Sequence, residues 1–141
     1  MSDQEERNRQ VVHRFVEQVF QNLNVRAVDE LVGDDFVSHT WSPRGADREF
    51  LRQATSRMGQ ALTDIRFTVE DTLADGDEVA ARLTASATAK GDFHGIPAAG
   101  KSYTIGEIHV FRLRDGKIVE HWHQFDSAGI MRQLRGDAAG D

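Results

Sequence analysis

The feature that most constrains the fold of this chain is a change of hydrophobic period after Thr63. Within residues 5–22 the apolar side chains recur at helical spacing, namely at Val11, Val12, Phe15, Val16, Val19 and Phe20. Beyond Thr63, Ile65, Phe67 and Val69 alternate with polar residues, which is typical of a strand. Helices followed by a run of strands predict an α+β domain.

Turn signals divide the rest of the chain. Asp75-Gly76-Asp77 and Asp115-Gly116 predict hairpins that join long β-compatible segments at 78–90, 101–114 and 117–125. The shorter predicted elements are a helix from Val25 to Val32 capped by Asn24, an extended stretch from Phe36 to Trp41, a helix capped by Asp47, a last helix around Ile130 to Leu134, and a frayed tail from Arg135 to Asp141. We expect one domain over residues 1–141, with a curved antiparallel sheet and helices packed on its concave side.

Composition argues against several kinds of chemistry. The 141 residues include no cysteine, which excludes disulfides, thiol nucleophiles and cysteine-based metal sites. The formal net charge of −6 argues against nucleic-acid binding, because phosphate recognition usually leaves a basic footprint. Lys90, Lys101 and Lys117 each stand beside a glycine at a turn, which disfavours Schiff-base chemistry. The sequence shows no signal-peptide pattern and no membrane-spanning stretch, so we expect a cytoplasmic protein.

The informative ionisable residues lie on the last two long strands. Alternation within 103–112 puts Tyr103, Glu107 and His109 on one face and Ile108 on the other. If the first face is concave and buried, a carboxylate and an imidazole meet in an apolar pocket and form a proton-transfer site. The alternative is a solvated or subunit-facing surface with Ile108 in the core, and alternation alone does not decide between them.

The final strand also offers two faces. Trp122, Gln124 and Asp126 share one of them, and His121 and His123 share the other. Asp126 could serve a pocket, or it could cap the helix that follows.

The two histidines also suggest a metal hypothesis, because imidazoles two residues apart on a strand point the same way. A third ligand would have to be His109 or a carboxylate, and alternation places His121 and His123 opposite Asp126. We therefore predict two ordinary histidines on the outer face of the sheet, and no metal.

Two further candidates, His39 and Trp41, share a face of the short extended stretch. They could line the mouth of a pocket, although Trp41 could also belong to the core. The sequence contains neither a phosphate-binding loop nor a nucleophile elbow. What remains is cofactor-free acid–base chemistry by histidine, aspartate and glutamate, or ligand binding without catalysis.

Five pieces of the sequence carry a resemblance to a known family. They are Val12-x-x-Phe15, Leu31-Val32-x-x-x-Phe36-Val37-x-His39, Gly91-x-Phe93-x-Gly95-Ile96-Pro97-x-x-Gly100-Lys101, Asp115-Gly116-Lys117-Ile118-Val119-Glu120-His121-Trp122, and Asp126-x-x-Gly129-Ile130-x-x-Gln133-Leu134. Together they span about residues 9–134 and resemble the SnoaL-type polyketide cyclases of the nuclear transport factor two-like superfamily. The resemblance implies a cone-shaped α+β roll, in which a curved antiparallel sheet and three helices enclose an apolar pocket.

The resemblance also implies a chemistry. These cyclases close the last ring of an aromatic polyketide by an intramolecular aldol condensation, without metal or cofactor. Their catalytic aspartate corresponds to Asp126, as general base, and their histidine corresponds to His109, which stabilises the oxyanion or returns the proton. Where they carry a glutamine this chain has Glu107. A second carboxylate can take a proton or repel Asp126, whereas a glutamine only forms hydrogen bonds.

On this resemblance we expect a cyclase-type enzyme of antibiotic biosynthesis that takes a small hydrophobic, polyketide-like ketone and forms a homodimer. The expected substrate-binding residues are Glu107, Trp122, Gln124, His39, Trp41, Phe15 and Phe36. Three alternatives stay open. They are a cofactor-independent polyketide hydroxylase, an isomerase or dehydratase of the ketosteroid-isomerase type, and a non-catalytic ligand-binding or dimerisation module.

Overall fold

The computed structural model describes residues 1–136 of the chain. Its helices are α1 (Asp3–Phe15), which continues as a π-helical segment (Val16–Gln21), α2 (Val25–Leu31), α3 (Arg48–Ala61) and α4 (Ser127–Arg135). Its strands are β1 (Val32–Ser38), β2 (Ala46–Asp47), β3 (Leu62–Asp75), β4 (Glu78–Ala89), β5 (Ser102–Arg114) and β6 (Lys117–Phe125). The predicted order of helices and strands is confirmed, except that the short strand β2 was not expected. The predicted frayed tail lies outside the described residues from position 137 onward.

The six strands form one curved sheet in the order β2-β1-β6-β5-β4-β3. All neighbouring strands pair antiparallel except β1 and β6, which pair parallel, so the expected antiparallel sheet is wrong at that one pairing. Parallel neighbours need a long crossover connection. Here the whole stretch from β2 to β5 supplies that connection, and it returns the chain to the inner edge of β1.

Helix α1 starts at a capping box and ends in a widened turn. The Glu5 backbone N–H donates to Ser2 Oγ at 3.1 Å, and the Ser2 backbone N–H donates to Glu5 Oε1 at 2.8 Å. After Phe15 the helix continues with π-helical hydrogen bonding, a rare geometry that is often found at functional sites. The widened turn brings Phe20 over the concave face of the sheet, where its ring centroid lies 5.2 Å from that of His109.

Two apolar clusters hold the helices against the sheet. The larger one packs α1 and α2 on the sheet and includes Phe15, Phe36 and Phe111. The smaller one lies at the other end and includes Ile105 and Leu134. Three of the four helical elements, namely the π-helical continuation of α1, α3 and α4, contribute side chains to a cavity on the concave face. Among the described residues, no helix is long and apolar enough to cross a membrane.

Candidate active site

A cavity of about 640 Å³ lies between the concave face of the sheet and these helices. Most of its wall is apolar, and it includes Phe20, Leu51, Met58, Ile65 and Ile130. Polar side chains enter it mainly from β5 and β6, at Tyr103, Glu107, His109 and His123. A largely apolar cavity of this size with a few convergent polar groups is the usual form of a small-molecule site.

A β-bulge decides which residues of β6 face this cavity. Next to the Asp115-Gly116 hairpin, Leu113 pairs with Ile118. The preceding β5 residue, Arg112, pairs with Glu120, so the β6 strand contains one extra residue, Val119. An extra residue on one strand shifts the register by one, which exchanges the two faces of that strand.

The shifted register brings His123 opposite His109, and Trp122 opposite Val110. His121 is buried and His123 lines the cavity, so the predicted outer-face position of these histidines is wrong. Trp122 accordingly lies on the outer face, where its ring stacks on His39 with 4.9 Å between the centroids. The expected placement of Trp122 inside the pocket is therefore also wrong.

The histidines take part in a hydrogen-bonded chain of six side chains. We refer to Glu107, His109, His121 and His123 as the buried cluster. His109 Nε2 lies 2.8 Å from Glu107 Oε1, and His123 Nε2 lies 3.1 Å from the same oxygen. On one side the hydrogen bonds continue from His109 Nδ1 to His121 Nε2 at 2.8 Å, and from His121 Nδ1 to Ser38 Oγ at 2.9 Å. On the other side Trp41 Nε1 donates to His123 Nδ1 at 3.0 Å.

Electrostatics favour an ionised Glu107 and neutral imidazoles at His109 and His121. Burial raises the pKa of Glu107, but the hydrogen bonds from His109 and His123, together with the electrostatic interaction with both rings, outweigh it, and the pKa is lowered to about 2. Burial lowers the pKa of His109 to about 4, against the opposing effect of Glu107, and lowers the pKa of His121 well below its ordinary value. At neutral pH, therefore, an ionised Glu107 is held by a neutral His109.

The second oxygen of Glu107 is open to the cavity. Within the described chain Glu107 Oε2 has no hydrogen-bond partner, and it is not among the atoms enclosed by protein without a partner. Because Glu107 lines the cavity, this oxygen faces the space that a ligand would fill. Tyr103 lines the same cavity. Burial and the Glu107 charge raise the pKa of Tyr103 to about 12, so its hydroxyl keeps its proton.

The same residues form a potential metal-binding set. One ligand atom each from Glu107, His109 and His123 lies within 4.8 Å of the others. Two histidines and one carboxylate can bind Zn²⁺ or Fe²⁺. Such an ion would require both Nε2 atoms to present lone pairs, whereas both now face a carboxylate oxygen.

Asp126 lies outside the cavity lining, contrary to its expected position. Its side chain is exposed and accepts a hydrogen bond from the Gly129 backbone N–H at 2.8 Å, so it is the N-cap of α4. A Cβ at Gly129 would clash with the Asp126 carboxylate, which explains the glycine at this position. This is the capping alternative that the sequence left open. Its neighbours Phe125 and Ser127 do line the cavity.

The other expected substrate-binding residues divide between wall, core and surface. Trp41 lines the cavity. Phe15 and Phe36 are fully buried in the larger apolar cluster and are not part of the cavity wall. Gln124 is exposed, and His39 lies on the outer face, where its Nε2 is 2.8 Å from Glu120 Oε2. For these four residues the expected position at the ligand is therefore not found. The bulge explains this for Gln124, which shares the outer face with Trp122, and core packing explains it for Phe15 and Phe36.

Sequence reasoning did not assign Ser38, His121 or His123 to the site, nor Tyr103, although alternation placed Tyr103 on the face of Glu107 and His109. The His-x-His spacing was the available signal, together with the observation that a third ligand would have to be His109 or a carboxylate. Ser38 carries no signal of its own, since only the parallel pairing of β1 with β6 brings it to His121.

Comparison with known proteins agrees with this architecture. TsrD from Streptomyces laurentii superposes with a TM-score of 0.81 at 27% identity, over 95% of this chain and 97% of that one. IdmH from Streptomyces antibioticus, provisionally assigned as a polyketide cyclase, gives a TM-score of 0.80 at 27% identity, over 90% and 97%. A Bacillus cereus protein with the same provisional assignment gives 0.81 at 26% identity, over 98% and 87%.

At the sequence level no curated protein matches the chain. The family model of the SnoaL-like polyketide cyclases, however, matches residues 10–134, which is nearly the whole described chain. The chain therefore belongs to the SnoaL-like polyketide cyclase family.

Proposed function

We propose that this protein is an acid–base enzyme that cyclises a hydrophobic, polyketide-like ketone by an intramolecular aldol reaction, with Glu107 as general base. The observation that supports the proposal is the carboxylate itself. One oxygen of Glu107 accepts from two imidazoles, and the other is open to a largely apolar cavity. A fixed, ionised carboxylate in the wall of a largely apolar cavity has the position and the protonation state of a general base.

The reaction can be written with protons and electrons in balance. Glu107 Oε2 takes a proton from the carbon next to a substrate carbonyl, and the electron pair of the broken C–H bond forms an enolate. The enolate carbon attacks a second carbonyl of the same molecule, a C–C bond forms, and the resulting alkoxide takes the proton back from Glu107. The Tyr103 hydroxyl is a suitable hydrogen-bond donor to the oxyanion.

His109 has a different role in this scheme from the one that the family resemblance implies. Its two ring nitrogens are occupied by Glu107 and His121, and its side chain is fully buried. It therefore acts through Glu107, by fixing the orientation of the carboxylate and keeping it ionised. The ionised carboxylate in the wall also favours a neutral substrate, such as an ester, over a free acid at the reacting end.

Turnover of aromatic polyketide esters by matched variants tests the proposal. Glu107→Gln keeps the shape of the side chain, and glutamine is the residue that the cyclases resembling this chain carry there. We expect a loss of about 10²- to 10⁴-fold in kcat for Glu107→Gln, and little change for Asp126→Asn. If Asp126→Asn loses activity and Glu107→Gln keeps it, the base assignment is wrong. If the wild type turns over no ester of this class, the cyclase proposal fails.

The pairing of Glu107 with Tyr103 also supports a second candidate function. A carboxylate base and a phenolic donor in an apolar cavity are the groups that a ketosteroid-isomerase type of enzyme uses to move a proton along an enone. The test is conversion of a β,γ-unsaturated cyclic ketone to its conjugated isomer, followed by ultraviolet absorbance. An isomerase would carry out this conversion and leave the polyketide esters unchanged.

A further inference from the structure

The contact between Trp41 and His123 fixes the position of a proton. The Trp41 Nε1 atom lies 3.0 Å from His123 Nδ1. An indole N–H can only donate a hydrogen bond, so His123 Nδ1 must present its lone pair. A neutral imidazole with a lone pair on Nδ1 carries its proton on Nε2.

The fixed tautomer determines what His123 does at its other nitrogen. His123 Nε2 lies 3.1 Å from Glu107 Oε1 and, because it carries the proton, it donates to that oxygen. We infer that Trp41 is a positioning residue, which holds His123 as a hydrogen-bond donor to Glu107 and thereby keeps the buried cluster closed to divalent metal ions. The inference does not depend on which reaction the cavity carries out.

Metal binding makes the opposite demand on His123. A histidine that binds a metal through Nε2 carries its remaining proton on Nδ1, where it normally donates to an acceptor. At His123 that proton would face the Trp41 N–H, so two donors would meet at 3.0 Å. The metal-binding state therefore loses the Trp41 hydrogen bond and leaves two part-buried donors without partners.

His109, in contrast, raises no such obstacle. Its Nδ1 faces His121 Nε2, and His121 Nδ1 faces Ser38 Oγ. A hydroxyl can donate or accept, so the hydrogen bonds of His109 Nδ1 and His121 Nδ1 can both reverse, and each of these ring nitrogens keeps a partner. Among the three potential ligands, the obstacle to a metal ion thus lies in the Trp41–His123 contact.

The proton position can be measured directly in the wild-type protein. Nitrogen-15 NMR of the imidazoles distinguishes a protonated ring nitrogen from one with a lone pair. We expect His123 to show a lone pair on Nδ1 and a proton on Nε2 at neutral pH. A proton on His123 Nδ1 in the wild type would overturn the inference. This measurement needs no variant, so it decides the question even if substitution of Trp41 impairs folding.

A Co²⁺ titration followed by visible absorbance then tests the consequence. Trp41→Phe keeps an aromatic wall and removes the N–H, and we expect it to bind Co²⁺ at least about tenfold more tightly than the wild type, because the donor conflict is gone. The matched control is Trp122→Phe. It changes the other tryptophan of the chain, which lies on the outer face of the sheet, and should leave Co²⁺ binding as in the wild type. Equal Co²⁺ affinity of the wild type and Trp41→Phe would refute the proposed role of Trp41.

Discussion

Acidification should destabilise this protein in two separate pH ranges, because it buries two neutral histidines, His109 and His121, beside the ionised carboxylate of Glu107. His109 has a pKa of about 4 in the folded state, compared with an ordinary value of 6.5. Between these values the unfolded chain binds a proton at this residue and the folded chain does not. Stability that is present above pH 6.5 is therefore lost progressively as the pH falls to about 4. His121 acts in the same direction.

Glu107 adds a second loss at lower pH. Its pKa is about 2 when folded, compared with an ordinary value of 4.5, so its contribution is present above pH 4.5 and is lost as the pH falls through about 2. Each shift spans about 2.5 pKa units, which corresponds to about 3 kcal/mol per group. Since small proteins are stable by roughly 5–15 kcal/mol, the loss from His109 alone is a large share of the total.

Urea unfolding followed by tryptophan fluorescence, repeated at several pH values between about 7 and 2, measures this dependence. The Glu107→Gln variant should still lose stability as the pH falls from 6.5 to about 4, because His109 and His121 remain buried. It should show no further loss from the titration of Glu107 below pH 4.5. His13→Asn, which removes an exposed histidine on α1, should leave both ranges unchanged. A free energy of unfolding that stays constant in the wild type between pH 6.5 and 4.5 would refute the reasoning, since it would mean that the imidazoles are hydrated or already charged.

Three further predictions concern single side chains. Ser38→Ala leaves His121 Nδ1 without its partner in the interior and should lower the free energy of unfolding by about 1–3 kcal/mol, measured in urea. Gly129→Ala forces the Asp126 carboxylate out of its capping position and should cost about 0.5–2 kcal/mol in the same assay. Tyr103→Phe removes a hydroxyl that has no hydrogen-bond partner among the described residues, so kcat should fall by up to about 10³-fold while stability stays within about 0.5 kcal/mol.

Much of the fold could be predicted from the sequence because local signals and tertiary packing agree along most of the chain. The Asp47 cap, the two Asp-Gly hairpins and the alternation from Tyr103 to Phe111 all match the structure. The parallel pairing of β1 with β6 could not be predicted in this way, because it joins segments about 80 residues apart and leaves no mark in either local pattern.

The residues of the site were only partly predictable, because the sequence does not show which face of β6 is buried. Alternation says which residues share a face, but it does not say which face is buried. On β5 the choice of the face with the aromatic Tyr103 and Phe111 is correct, and Glu107 and His109 lie on it, although Ile108 left the opposite face open. On β6 the large apolar residue, Trp122, is on the outer face, so the same reasoning selects the wrong side.

The bulge at Val119 is the single structural feature that makes this cluster possible. Counting residues back from the Asp115-Gly116 hairpin without a bulge would place Trp122, rather than His123, opposite His109. Glu107 would then lose the second imidazole on Oε1, and the hydrogen bonds that outweigh its burial would be halved. A carboxylate with one donor in an apolar cavity would have a higher pKa and would be held less firmly in one orientation. The function proposed here therefore depends on the register of a hairpin as much as on the identity of Glu107.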